Sequence, residues 1–299
     1  MEIIELDDIR FRLQKRQDFR WLNRYGRAFW CVDQTGSGCI CIGMERAGEK
    51  VFCKIAGVGT VEAEVSPEES VRILKNAVSL YRTLRHPALV RIIEEYEQGP
   101  FYAAIFAWAE GECLFDHWNF ERYANGVPSP REQFLALPAA KRLAAVDVLF
   151  SFLQNVAEKG YAAVDFYDGS ILYDFETDKL TICDIDLFRK SPTMNNMGAD
   201  WYGTKRLKAP EEYELGGVID ERTTLFTLGA LIFDFFGGFS EEEIAQRYAQ
   251  NRFLPCALSR WQLNAQSYRA AERAVCADKA GRYQSIAQFW NAWHGDLCR

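Results

Sequence analysis

Short apolar runs separated by turn-forming residues fill the first third of the chain, and helical spacing takes over after it. Residues 28–33, 39–44 and 50–55 are three such runs, split by turns at Thr35-Gly36-Ser37-Gly38 and Ala47-Gly48-Glu49. They predict an antiparallel meander. Residues 66–84 change period. Ser66 suits a helix N-cap, Pro67 the first helical position and Glu69 the far side of a capping box. Ile73, Ala77, Leu80 and Leu84 then recur at helical intervals. His86 and Pro87 stop this helix. Residues 88–95 and 101–108 read as two more strands around a Gln98-Gly99-Pro100 turn.

The rest of the chain is mainly helical in pattern. Residues 119–133 are polar, carry Gly126, Pro128 and Pro130, and read as an irregular insertion. Residues 138–159 form a long amphipathic pattern with Leu143, Val146, Phe150 and Leu153 on one face. Next come a loop carrying Asp165 and a hairpin of residues 170–175 and 180–184, turning at 176–179. The hairpin ends in Asp184-Ile185-Asp186 and so brings two acidic clusters to one edge, which suits holding a metal–phosphate and orienting a hydroxyl. Residues 191–212 show little periodicity and read as a long functional loop. Helical spacing resumes at 223–236, 241–250, 265–276 and 285–293. The expected class is α+β: a β-rich lobe over 1–106 with five antiparallel strands and one helix, a hinge at 107–111, and a mainly helical lobe over 112–299. A ligand is expected in the crevice between the lobes.

Composition narrows the partners. A net charge of −7 over 299 residues argues against nucleic acid, whose phosphates demand a basic surface. The longest apolar run, residues 228–236, is broken by Asp234 and is too short to span a bilayer. No basic, then apolar, leader opens the chain. A cytoplasmic protein with no membrane partner is the expectation. The nine cysteines are odd in number and scattered through apolar segments, which fits reduced thiols used as small hydrophobes.

Several motifs, taken in order, resemble those of a protein kinase of the bacterial Ser/Thr type, from about residue 27 to 293. Val51-Phe52-Cys53-Lys54 resembles the third-strand motif whose lysine meets the α- and β-phosphates of ATP. Gly36, Ser37 and Gly38 stand where the phosphate loop lies, where small residues let backbone approach phosphate oxygens. Residues 106–111 resemble the hinge: the backbone of Ala107 and Ala109 would read adenine behind Phe106, and Glu112 would reach the ribose. Asp165 stands at the catalytic aspartate, orienting the acceptor hydroxyl and taking its proton. Asp184 would hold Mg²⁺, with Ser170 at the position of the second metal ligand and Asp186 supplying a further carboxylate. Glu211, in Ala209-Pro210-Glu211, and Arg282 are expected to form a buried ion pair.

The chain departs from that pattern at several points. Ala77 replaces the helix glutamate that would pair with Lys54, Val164 the arginine before Asp165, and Tyr167 the loop lysine. Ser170 replaces an asparagine, Asp186 a glycine and Thr224 the aspartate that braces the catalytic loop. Three readings follow: an ATP- and Mg²⁺-dependent kinase acting on Ser or Thr of a protein, a pseudokinase that binds nucleotide as an interaction module, and a small-molecule kinase.

Overall fold

The computed structural model describes residues 1–115, 123 and 126–295. It divides into two compact units, Met1–Arg85 with Leu89–Glu110, and His86–Ala88 with the chain from Gly111 onward. The class is α+β, as the sequence predicts.

The first unit opens with a hairpin that the sequence reading passed over, β1 (Glu2–Leu6) and β2 (Ile9–Leu13). Ile9, Phe11 and Leu13 alternate and are buried, and Asp7 takes the left-handed conformation the tight turn needs. The expected meander follows as β3 (Arg27–Val32), β4 (Ile40–Arg46) and β5 (Glu49–Ala56). With β6 (Ile92–Gln98) and β7 (Phe101–Ala107) these make one antiparallel sheet in the order β3-β4-β5-β7-β6. Lys54 sits mid-sheet on β5, opposite Cys41 on β4 and Ala104 on β7.

The strand expected from residue 88 begins at Ile92 instead. The backbone of Ala88 is already committed: its N–H bonds to the His86 ring at 3.2 Å, and its carbonyl accepts from Ile182 at 2.6 Å. That anchors 86–88 in the second unit.

Helix α1 (Pro67–Thr83) starts where predicted, with Ser66 accepting the Glu69 N–H at 3.2 Å. The capping box does not close. The Glu69 carboxylate turns instead to Arg72, 2.8 Å from its Nε, where a charged partner outweighs a neutral backbone donor. Leu74, Ala77, Val78 and Tyr81 form the buried stripe of α1, while Ile73 is only half-buried.

In the second unit, part of the expected irregular insertion is helical. Helix α2 (Pro130–Ala136) has a closed capping box between Ser129 and Glu132, Pro130 at its first turn, and Phe134 fully buried against Tyr173 and Phe235. Most of 119–129 lies outside the described residues. Helix α3 (Ala139–Glu158) and helix α4 (Glu221–Phe236) form the centre, with almost every residue of α4 buried. Helices α5 (Glu241–Gln250), α6 (Ala265–Ala274) and α7 (Ile286–His294) complete the unit, and Phe289 and Trp293 of α7 pack on Phe150 of α3.

The predicted hairpin forms as β10 (Ile171–Asp174) and β11 (Lys179–Ile182), and β8 (Glu112–Cys113) joins it on the other side of β10. β8 can approach because Gly111 lacks a Cβ, which would lie 2.7 Å from the Asp174 backbone nitrogen. The expected long loop over 191–212 is punctuated by short elements. β9 (Tyr161–Ala162) pairs with β12 (Arg189–Lys190), and β13 (Thr193–Met194) with β14 (Val218–Ile219). Among the described residues no helix is long and apolar enough to cross a membrane.

Candidate functional site

The turn that presents Asp165 is held by its neighbours. β9 is pinned to β12, and the Ala163 N–H donates to Thr224 Oγ1 of α4 at 2.9 Å. Thr224 thus does with a hydroxyl what the resemblance assigns to an aspartate. A neutral acceptor suffices because position 164 is a valine and presents no cation that needs an acidic partner. Asp165 itself has a φ of 60°, a conformation that few residues other than Gly, Asn and Asp tolerate and that marks sites where structure around a residue over-determines its backbone.

Burial pushes the Asp165 carboxyl up to about 7, the neighbouring Asp184 charge pushes the same way, and Lys208 opposes them. A base with such an affinity is half-deprotonated near neutral pH, where a general base works best. Asp184 follows β11, is exposed, and likewise has a positive φ, 50°. Two aspartates in sparsely populated backbone, close enough for one to raise the other, are the chemically loaded centre of this unit.

Ser170 closes the turn after Asp165. Its carbonyl accepts the Cys183 N–H at 2.9 Å, linking it to the residue before Asp184. Among the described residues its hydroxyl is buried without a hydrogen-bond partner. Tyr167, at the loop-lysine position, folds its ring over Gly169, where a Cβ would lie 2.3 Å from the ring. Asp186 is half-buried beyond the fully buried Ile185. Among the described residues no three His, Cys, Asp or Glu side chains gather as a metal set. Mg²⁺ does not require one, since it binds through one or two carboxylates with phosphates and water completing the shell. Exposed Asp184 fits that demand, while the Ser170 hydroxyl is enclosed.

The sequence reading missed two ionisable groups beside Asp165. Lys208 and Glu212 line a cavity of about 10 Å³ with Asp165, Gly203, Thr204 and Thr227, roughly the room one water needs. Lys208 Nζ donates to the carbonyls of Trp201 (2.6 Å) and Ala199 (3.3 Å). Burial pushes the Glu212 carboxyl up to about 8, although it accepts the Ala209 N–H at 2.7 Å. The available signal was two ionisable residues closely flanking Ala209-Pro210, in a segment bound to be packed.

The predicted Glu211–Arg282 pair is present and bidentate, at 2.7 and 2.9 Å, with the Arg282 side chain 0% and the Glu211 side chain 9% exposed. Thr223 Oγ1 also donates to Glu211 at 2.7 Å, and Arg282 reaches the carbonyls of Cys276 and Arg222.

The remaining candidates lie in the first unit, apart from Glu112, which is on β8. Gly38 has a φ of 71°, as its turn requires. The carbonyl of Gly36 accepts the Glu64 N–H at 2.9 Å, and the Glu64 carboxylate lies against Gly36. An exposed carboxylate there disfavours phosphate by about 1 kcal/mol at close range in water, so nucleotide binding through Gly36, Ser37 and Gly38 is eased when Glu64 swings away. The Ala107 N–H is engaged with the Arg91 carbonyl at 2.9 Å, so a ligand can use only the Ala107 carbonyl. Ala109 lies in the irregular run after β7. Phe106 is buried, edge-on to Tyr81.

No protein-family model matches the chain, and no curated protein matches it.

Proposed function

We propose that the chain is a phosphotransferase with a two-lobed, protein-kinase-like fold, moving the γ-phosphate of Mg-ATP to a Ser or Thr hydroxyl on a protein. The observation that carries this reading is Asp165: a half-buried carboxylate on a braced turn, beside Asp184, with a proton affinity near neutrality. Asp165 orients the acceptor hydroxyl and takes its proton as the oxygen attacks. Asp184, with Ser170 and Asp186 as further oxygen donors, holds the metal, which when bound neutralises developing charge on the phosphates. Lys54 holds the α- and β-phosphates. Gly36, Ser37 and Gly38 cover them, the backbone of Ala107 and Ala109 reads adenine, and Glu112 reaches the ribose. The setting is cytoplasmic, in keeping with described cysteines that are free.

A pseudokinase is the second reading, favoured by two observations. Ala77 is buried on α1 where a glutamate would hold Lys54, and Glu64 stands against the glycine loop. Incubation with Mg²⁺ and γ-labelled ATP, alongside thermal unfolding with and without Mg-ATP, separates the two. The kinase reading expects label on protein with wild type, and transfer lowered by ~10²-fold or more in Lys54→Ala, as for loss of a major transition-state contact. Stabilisation without transfer selects the pseudokinase. Neither stabilisation nor transfer overturns both.

A further inference from the structure

Four charged side chains form a cluster that the proposed chemistry does not use. Arg206 lies in the run between Gly203 and Ala209. Its Nη2 donates to Asp168 Oδ1 at 2.6 Å and its Nη1 to Asp234 Oδ2 at 2.9 Å. Arg131 of α2 brings Nη2 within 3.1 Å of the same Asp234 oxygen and Nε within 3.9 Å of Asp168 Oδ2. The two carboxylates are 1% and 5% exposed, Arg206 is 12% exposed and Arg131 34%. Two cations thus face two buried anions, and buried Arg247 adds a third positive charge that acts on Asp234 and Arg206. The Arg206 guanidinium also lies over the Phe115 ring, 5.2 Å from its centroid.

The cluster ties together three segments. Asp168 is in the turn three residues after Asp165, Asp234 is on the buried face of α4, and Arg206 belongs to the loop. That loop borders Asp165: Gly203, Thr204, Leu207 and Lys208, on either side of Arg206, line the Asp165 cavity. Position 164, just before Asp165, is a valine and offers no cation to a phosphate on the loop.

We propose that Arg206 is a built-in positioning residue: its fork on Asp168 and Asp234 fixes the 203–208 loop against the Asp165 turn, so the loop is set without phosphorylation. The proposal rests on the phosphotransferase reading for its rate consequences and on geometry alone for its effect on the loop. A bidentate guanidinium suits the task because its planar fork bonds two carboxylates at once, which an ammonium does as a single point charge.

The test compares wild type, Arg206→Met and Arg206→Lys by label transfer and by backbone hydrogen exchange over residues 198–209. Wild type treated with a broad-specificity phosphatase is expected to keep its rate. Arg206→Met is expected to lose ~10²-fold in kcat with little change in KM for ATP, as a misplaced loop costs orientation rather than nucleotide binding. Its 198–209 amides exchange faster. Arg206→Lys falls between the two in both readouts and carries the test alone if the methionine variant does not fold. Loss of wild-type activity on phosphatase treatment overturns the proposal. So does Arg206→Met or Arg206→Lys with wild-type kcat and exchange, or Arg206→Lys no better than Arg206→Met. If wild type transfers no label, the phosphotransferase reading falls while hydrogen exchange still decides whether Arg206 sets the loop.

Discussion

Replacing Arg282 with alanine lowers the unfolding free energy by about 3–5 kcal/mol, because it strands a buried carboxylate. Glu211 would keep Thr223 Oγ1 at 2.7 Å and a distant Lys279 at 3.7 Å, neither of which replaces two charge-assisted bonds from a fully enclosed guanidinium. At roughly 2–4 °C per kcal/mol for a mid-sized domain, the melting temperature drops by roughly 6–20 °C. Glu211→Ala costs less, since Arg282 retains the carbonyls of Cys276, Arg222 and Ala277. The effect depends on pH. Burial raises the Glu211 carboxyl, but its bonds and attraction to Arg282 outweigh burial, and the net result is below its ordinary 4.5. A depressed acid stabilises the fold above its unfolded pKa and loses that contribution as pH falls through its folded value. The gap between wild type and Arg282→Ala therefore narrows below pH 4.5. Equal unfolding curves at pH 7 in urea would contradict the buried-pair account.

Asp165→Asn moves stability the other way. Burial and Asp184 lift the Asp165 carboxyl from 3.8 to about 7, so between those values the folded protein holds a proton that the unfolded chain has released. Stability therefore falls as pH rises from 3.8 towards 7, by up to about 4 kcal/mol for a shift of this size. Asparagine carries no charge to bury. The variant is expected to unfold at higher temperature than wild type at pH 8, with the difference shrinking to little at pH 4. Calorimetry across pH 4–8 measures this directly, and a variant less stable than wild type at pH 8 would show that Asp165 is not held at an energetic cost. Such a cost is what a catalytic carboxylate incurs, since positions tuned for chemistry are often unfavourable for stability.

Elements with strong local signals were legible in the sequence. The pattern at 241–250 matches α5 residue for residue, and the hairpin after Asp165 falls within one residue of its expected strands on most sides. Local capping chemistry misled where a competitor lay nearby: Glu69 could close a box on Ser66 but found Arg72 one turn on. The polar, proline-containing stretch read as irregular hides α2, whose Ser129-Pro130-Arg131-Glu132 start is itself a helix signal that the surrounding glycine and proline obscured. At the site, Asp165, Asp184 and the Glu211–Arg282 pair follow from motif order. Lys208, Glu212 and the Arg206 cluster do not, because their meaning lies in partners far along the chain: Asp168 and Asp234 are 38 and 28 positions from Arg206, and Asp165 is 47 from Glu212. Thr224 stands at the bracing position in the sequence, but only the fold shows its hydroxyl accepting the Ala163 N–H.

The most direct test of the central claim is the pH dependence of label transfer from Mg-ATP. If Asp165 is the base, the rate rises about tenfold per pH unit below its pKa and levels off above pH ~7, while Asp165→Asn lies at least ~10²-fold lower with that rise removed. An Asp165→Asn variant that transfers phosphate at the wild-type rate, with the same pH profile, would contradict the account.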